Sequence, residues 1–243
     1  MYIDVIISAD DVKEEKLKDK AVVIIDVLRA TSVMVTALSH GCKKIIPVKE
    51  VEEAIALASV DKEGFLLGGE RDGIKLEGFN FSNSPFDYTR EAVEGKTLIM
   101  TTTNGTRAIK NSEKAEVILI GAMINGRAIA KRLVELNMDV VFVNAGTYGQ
   151  FSMDDFITCG YIISCIKEEL NNKGMEKLYL SDIAITAQHI YETNPDIFSY
   201  VDKAAHYKRL KQLNYIEDLT YCFTKDIIDI VPMYKDGEIN IIN

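Results

Sequence analysis

Four short stretches of this chain collect small, hydroxyl-bearing and ionised residues directly behind apolar runs: DVLRATS (26–32), GGERDG (68–73), TTTNGTRA (101–108) and NAGTYGQFSMDD (144–155). Their shared chemistry suits an oxyanion. Gly105 and Gly146 let the backbone approach a ligand closely, and Thr31, Ser32, Thr101, Thr103, Asn104, Thr106 and Thr147 can hydrogen-bond to it. Arg29, Arg71 and Arg107 are planar forks matched to phosphate, sulfonate or carboxylate. Carboxylates at strand ends can hold a hard cation such as Mg²⁺ through oxygen. Read singly, each loop is equally a helix start, with Thr31, Asn104 or Asp154 as its cap. Capping leaves Arg29 and Arg107 at the tight turns unexplained, and likewise the run Thr101–Thr103. Several such loops in one chain predict one anion site built from all of them.

The elements that must carry these loops follow from hydrophobic patterning. Strands are expected at 2–7, 21–26, 44–48, 65–70, 96–100, 116–121 and 139–144, the second being a continuous apolar run of the kind buried on both faces. Helices are expected at 31–39, 51–59, from 106, at 126–137 and at 154–170. This β-α-β spacing predicts a three-layer α/β sandwich around a mostly parallel or mixed sheet. Residues 71–88 read as a long polar loop. From 181 to 225 the pattern turns helical, which predicts a cap or flank on the same body rather than a separate domain, so 1–243 is treated as one domain. IIDIVPMY and EINII near the end read as edge strands or a closing hairpin. In such sheets ligands bind beyond the carboxyl ends of the strands. A strand alternates its faces, so Thr101 and Thr103 are expected to point one way and Thr102 the other.

The bulk numbers remove other classes. With 243 residues and 47% hydrophobic content the chain can bury a substantial core. A net charge of −9 argues against a nucleic-acid binder, which needs a basic face. No apolar run is long enough for a membrane span, and MYIDVIISADD lacks the features of a signal peptide, so a cytoplasmic location is expected. Cys42, Cys159, Cys165 and Cys222 are scattered, without a CxxC, and read as reduced core thiols. The Walker loop, GxGxxG, HExxH and GxSxG are absent. DVLRAT tempts comparison with the aspartyl-phosphate signature DxDx[TV], but Leu28 stands where the second acid belongs.

DVLRATS, GGERDG, GFNFSNSPFDYT (78–89), TTTNGTRA and NAGTYGQFSMDD, in this order, together with SDIAITA (181–187) and the helix around His206, resemble the signature segments of the 2-phosphosulfolactate phosphatase family. The family is the phosphatase of the phosphoenolpyruvate-plus-sulfite route to coenzyme M. Asn80 and Ser82 depart from its usual acid and glycine, and NAGT often reads CAGT there, so Asn80 has no claim as an essential acid. The resemblance implies a Mg²⁺-dependent hydrolase that converts 2-phospho-3-sulfolactate to 3-sulfolactate and phosphate. A substrate with three anionic groups gives Arg29, Arg71 and Arg107 distinct tasks. Asp26, Glu70 and Asp155 are then the candidate Mg²⁺ ligands, with Asp154 in reserve. Asp26 serves as ligand or base, Arg29 and Arg107 stabilise charge, and His206 is a candidate acid for the leaving alkoxide. Asn83 and Ser84 either touch ligand or merely form the turn before Pro85. Two alternatives stay open: a phosphatase for another small 2-phospho acid, and a non-catalytic binder of a phosphorylated metabolite. The residues set no oligomeric state, and a homo-oligomer is compatible with them.

Overall fold

The computed structural model describes residues 1–61, 63–174 and 177–242. The first half runs β1 (Tyr2–Ile6), α1 (Glu14–Leu17), β2 (Ala21–Ile25), α2 (Ala30–Ser39), β3 (Lys44–Pro47), α3 (Val51–Ala58), β4 (Phe65–Arg71), β5 (Ile74–Lys75), α4 (Arg90–Val93), β6 (Thr97–Thr101) and α5 (Gly105–Asn111). Then follow β7 (Val117–Gly121), α6 (Gly126–Leu136), β8 (Val140–Asn144), α7 (Met153–Asn172), β9 (Tyr179–Leu180), α8 (Asp182–Thr193), α9 (Ile197–Val201), α10 (Ala205–Gln212), α11 (Ile216–Cys222), β10 (Pro232–Lys235) and β11 (Glu238–Ile241). The strands form one mixed sheet in the order β5-β4-β6-β3-β11-β10-β7-β2-β8-β1-β9.

β2 shows why its sequence is apolar throughout. It lies between β7 and β8, parallel to both, and all five of its residues are buried. Ala21, Val23 and Ile25 pack on one face against Ile129 and Leu133 of α6 and Phe156 and Ile162 of α7. Val22 and Ile24 pack on the other with Val33 and Met34 of α2 and Ala108 and Ile109 of α5. The result is helix on both faces of a central sheet. The helices after 181 join the first of these clusters through Ala184, Val201, Leu210 and Leu219. The four cysteines are free and buried, and burial pushes the Cys42 and Cys165 thiols up to about 11, as expected of inert core thiols.

The last hairpin differs from the edge position open to it in the sequence. β10 and β11 sit in the middle of the sheet, β10 antiparallel to β7 and β11 antiparallel to β3. With three antiparallel steps between them, β3 runs opposite to β7. The group β4-β6-β3 therefore runs opposite to the group β7-β2-β8-β1. In a flat sheet this would put the loops after β4 and β6 at the wrong end. Five steps from β6 to β2 at about 20–25° of twist each rotate the strands by about 100–125°, which leaves the two groups pointing within about 55–80° of one another. The ends converge: a Cβ placed on Gly105 at the start of α5 would lie 2.6 Å from the Ala30 Cβ of α2.

Candidate active site

The turn after β2 is fixed by three side chains. Thr31 Oγ1 accepts from the Asp26 amide at 3.2 Å, Ser32 Oγ donates to the Val27 carbonyl at 2.8 Å, and Asp155 Oδ1 accepts from the Val27 amide at 2.9 Å. Arg29 at the start of α2 is 1% exposed. Its guanidinium pairs with Asp218 of α11, donates to the Gly73 carbonyl at 3.3 Å and lies 3.9 Å from the centre of the Tyr215 ring. Asp218 also accepts from Ser84 Oγ at 2.9 Å, so the 82–85 turn is tied to the helical segment through this pair.

The other three loops are built the same way. Glu70 Oε1 accepts from the Thr103 amide at 2.8 Å, and its Oε2 from the Gly73 amide at 2.7 Å and Thr103 Oγ1 at 3.3 Å. One buried carboxylate therefore holds two loops together. Asp155 does likewise: besides Val27, its Oδ2 takes the Gly146 amide at 3.1 Å. Gly146 has φ +70° there, and a Cβ would lie 2.3 Å from the Gln150 carbonyl oxygen, so only glycine fits. Thr147 and Gln150 exchange backbone hydrogen bonds of 2.9 and 3.0 Å, which closes a tight turn. Ser152, whose Oγ accepts from the Asp155 amide, caps α7. Asp154, one of the residues that could have been this cap, is not it.

A cavity of about 550 Å³ opens between these loops and α10. Asp26, Arg29, Glu70, Thr103, Asn104, Thr147 and His206 line it, as does Asp154. His206 Nε2 lies 2.8 Å from the Leu28 carbonyl. A carbonyl only accepts, so Nε2 carries hydrogen and Nδ1 is the nitrogen left to exchange a proton. Burial pushes the Asp26 carboxyl up to about 7; the His206 charge opposes the shift, and Glu70 and Asp154 add to it. Burial also raises Asp154, again opposed by His206. Asp155 is raised well above the usual range by burial and then by Asp26 and Asp154. This is a cluster of buried acids in which the His206 charge opposes the shifts of Asp26 and Asp154.

The remaining residues read as ligand contacts in the sequence stand behind or beside the cavity. Thr101 ends β6, and its hydroxyl donates to the Lys49 carbonyl and accepts from Arg71 at 2.9 Å, so the alternation expected of Thr101 and Thr103 stops where the strand stops. Arg71 also donates to the Lys49 carbonyl at 3.0 Å and is not among the lining residues. Thr106 Oγ1 and Thr102 exchange hydrogen bonds within the turn. Gly105 makes room for the Asp26 carboxylate, whose Oδ2 would lie 2.8 Å from a Cβ, rather than for a ligand. Arg107 pairs with Asp10 at 3.1 Å, one-third exposed at the rim beside Asn104. Thr31, Ser32, Gly146 and Asp155 hold loops, as described. The sequence reading missed Asp72, Tyr148 and Arg209, which line the cavity, and Asp218. Arg209 had a signal: it is three residues after His206 on a helix, hence on the same face.

Fold and site together define an α/β enzyme with an acid- and cation-lined cavity for a small anionic ligand. The chain matches the family model described as 2-phosphosulpholactate phosphatase over residues 6–237. It is similar to proteins named probable 2-phosphosulfolactate phosphatase from Clostridium acetobutylicum (58% identity, covering 98% of this chain and 100% of that one), Clostridium novyi (56%; 96% and 97%) and Clostridium kluyveri (54%; 98% and 96%). The chain belongs to the 2-phosphosulfolactate phosphatase family, and is thus a phosphoric monoester hydrolase. No helix among the described residues is long and apolar enough to cross a membrane.

Proposed function

We propose that this chain hydrolyses 2-phospho-3-sulfolactate to 3-sulfolactate and phosphate, with Mg²⁺ bound among the acids of the cavity. The observation that carries the reading is the Asp26–Asp154–Glu70 acid group facing one cavity with His206. Family membership supports the substrate. The acids suit a hard cation, because burial raises Asp26 and Asp154, with repulsion from Glu70 and Asp154 adding to the shift of Asp26, and a divalent ion relieves both. Glu70 and Asp155 each have both oxygens engaged by loop donors. Asp26 and Asp154 are therefore the principal ligands in this proposal, with Glu70 contributing a remaining lone pair. Among the described residues no three His, Cys, Asp or Glu side chains form a ready metal cage. Substrate and water oxygens would complete the shell, as is common for Mg²⁺. The bound ion supplies charge neutralisation at the phosphoryl oxygens.

The chain's own groups position and protonate. Thr103, Asn104 and Thr147 offer donors at the mouths of two loops. His206, protonated at Nδ1, is placed to donate to the leaving C2 alkoxide while Nε2 stays anchored on Leu28. The cytoplasmic location and a place in coenzyme M synthesis go with this reading. The test is phosphate release by purified protein from 2-phospho-3-sulfolactate, 2-phospholactate and 2-phosphoglycolate, with Mg²⁺ and with chelator. Mg²⁺-dependent release, fastest from the sulfonated ester, is expected. No release from any ester between pH 6 and 9 overturns the enzymatic reading.

A further inference from the structure

The cavity has a rim that the proposed chemistry does not use. Tyr148 and Asp72 both line it and both are exposed, one in the loop after β8 and the other in the turn between β4 and β5. The Tyr148 hydroxyl donates to Asp72 Oδ1 at 2.8 Å, so one hydrogen bond joins two loops that lie 76 residues apart in the chain. The two ends of this bond are held differently. Asp72 precedes Gly73, whose amide donates to Glu70 at 2.7 Å and whose carbonyl accepts from Arg29 at 3.3 Å. Gly73 also packs on the α10 side, where a Cβ would lie 3.1 Å from Leu213 Cδ1. Asp72 therefore stands on a fixed post. Tyr148 stands at the tip of a two-residue turn closed by Thr147 and Gln150, and both tip residues have positive φ, +52° at Tyr148 and +73° at Gly149. Positive φ at both central positions is the pattern of a type I′ turn, which favours Asn, Asp or Gly there. A tyrosine at the first of them is strained, and strain of this kind persists only where the surroundings hold it. Packing does not account for the choice, since Tyr148 is 64% exposed. The bond to Asp72 is the one side-chain hydrogen bond that Tyr148 makes among the described residues. What the ring supplies is reach: it carries a hydroxyl across to the facing loop.

We propose that Tyr148 and Asp72 form a gate at the mouth of the cavity, with the 147–150 turn as the moving leaf and Asp72 as the post against which it closes. The inference rests on the function proposed above only in taking this cavity as the place where the anionic ester is bound. The strain at Tyr148 favours opening, and the hydrogen bond to the Asp72 carboxylate opposes it. Because that bond is solvent-exposed its net weight is small, so the leaf opens readily and the gate sets a rate of exchange rather than a barrier to it. The flanks of the turn stay in place: the Gly146 amide is anchored on Asp155 at 3.1 Å, and the Phe151 ring packs edge-on against Phe156 of α7 with centroids 5.0 Å apart. Movement is thereby confined to the turn itself.

The experiment places a cysteine on the cavity wall and times its reaction with N-ethylmaleimide, an uncharged reagent that is insensitive to the loss of a rim charge. Ala204 lines the cavity and is 4% exposed, and the four native cysteines are buried. Ala204→Cys is labelled alone and in combination with Tyr148→Phe, with Asp72→Ala, with both, and with Asp72→Asn. Because the gate residues are exposed, all of these proteins should share one Tm. If Ala204→Cys itself lowers the Tm, Met153→Cys on the same wall replaces it. Tyr148→Phe and Asp72→Ala should each speed labelling by roughly three- to tenfold, the weight of one net hydrogen bond. The two together should do no more than either alone, because both break the same bond. Asp72→Asn, which keeps an acceptor oxygen, should stay close to the rate of the parent. An unchanged rate in Tyr148→Phe, or single effects that multiply in the double variant, overturns the gate. Labelling needs no turnover, so the two readings fail separately. A protein that hydrolyses none of the esters but shows this gain in labelling upholds the gate and refutes only the reaction.

Discussion

Asp26→Asn should make the protein more stable and less active at once. Asp26 is 7% exposed, and burial raises its carboxyl from 3.8 to about 7. A shift of about three units at about 1.4 kcal/mol each means that holding the ionised group in the fold costs on the order of 4 kcal/mol once the pH exceeds 7. The sign follows from proton binding: between pH 3.8 and about 7 the folded chain holds a proton that the unfolded chain has released, so stability falls as the pH rises across that window and levels off above it. Asparagine removes the charge but keeps part of the desolvation cost, which leaves a net gain of about 2–3 kcal/mol at pH 8. For a chain of this length that is a rise in Tm of about 4–12 °C. The assay is thermal or guanidinium unfolding of both proteins in chelator at pH 5 to 8. The gap should widen from pH 5 to 7 and then hold, and added Mg²⁺ should narrow it by stabilising only the wild type. Phosphate release should fall by several orders of magnitude. A variant no more stable than wild type at pH 8 in chelator, or a gap that ignores pH, refutes the reasoning.

Gly105→Ala should lower turnover and cost about 1–3 kcal/mol, because the new methyl meets the Ala30 Cβ at 2.6 Å and the Asp26 carboxylate at 2.8 Å; activity and Tm on the same preparation check this. Asp218→Ala should destabilise by about 3–5 kcal/mol, as it leaves the buried Arg29 charge unpaired, and denaturant midpoints measure it. Glu70→Gln should cost about 1–3 kcal/mol, since an amide cannot accept at both the Thr103 and Gly73 amides. Kinetics should show a raised KM, from loops that no longer hold their positions.

The strands and long helices were legible because their burial is two-sided or strictly periodic. AVVII reads as a fully buried strand and is one, and α7 is long and buried almost continuously through its first half. The place of the closing hairpin was not legible. β10 and β11 carry no pattern that tells an edge from an interior, and their pairing with β7 and β3 is a contact of high sequence separation. The strand reversal that they impose was hidden for the same reason. At the site, the residue types marked loops that line the cavity but not the direction of each side chain. Arg71 and Arg107 have the same chemistry as Arg209, yet one bonds Lys49 and Thr101, the other pairs with Asp10, and only Arg209 lines the cavity without a protein partner among the described residues.

The acids make the same point in a way that can guide a reading of similar sites. Asp26, Glu70, Asp154 and Asp155 are all buried, and by type and position any of them could ligate a cation. What separates them is how fully their oxygens are engaged by the fold itself. Glu70 bridges the Thr103 and Gly73 amides, and Asp155 bridges those of Val27 and Gly146, so each ties together two loops that are far apart in the sequence. Moving a carboxylate engaged in this way to meet a ligand would leave buried amides unsatisfied. Asp26 has no such bridge, and burial leaves it poised near neutrality. The loop-bridging acids thus create the rigid frame, and the unbridged ones keep the freedom to bind a cation or exchange a proton. Both kinds are needed: the acids that face the cavity keep their places only because the acids that bridge fix the loops around them.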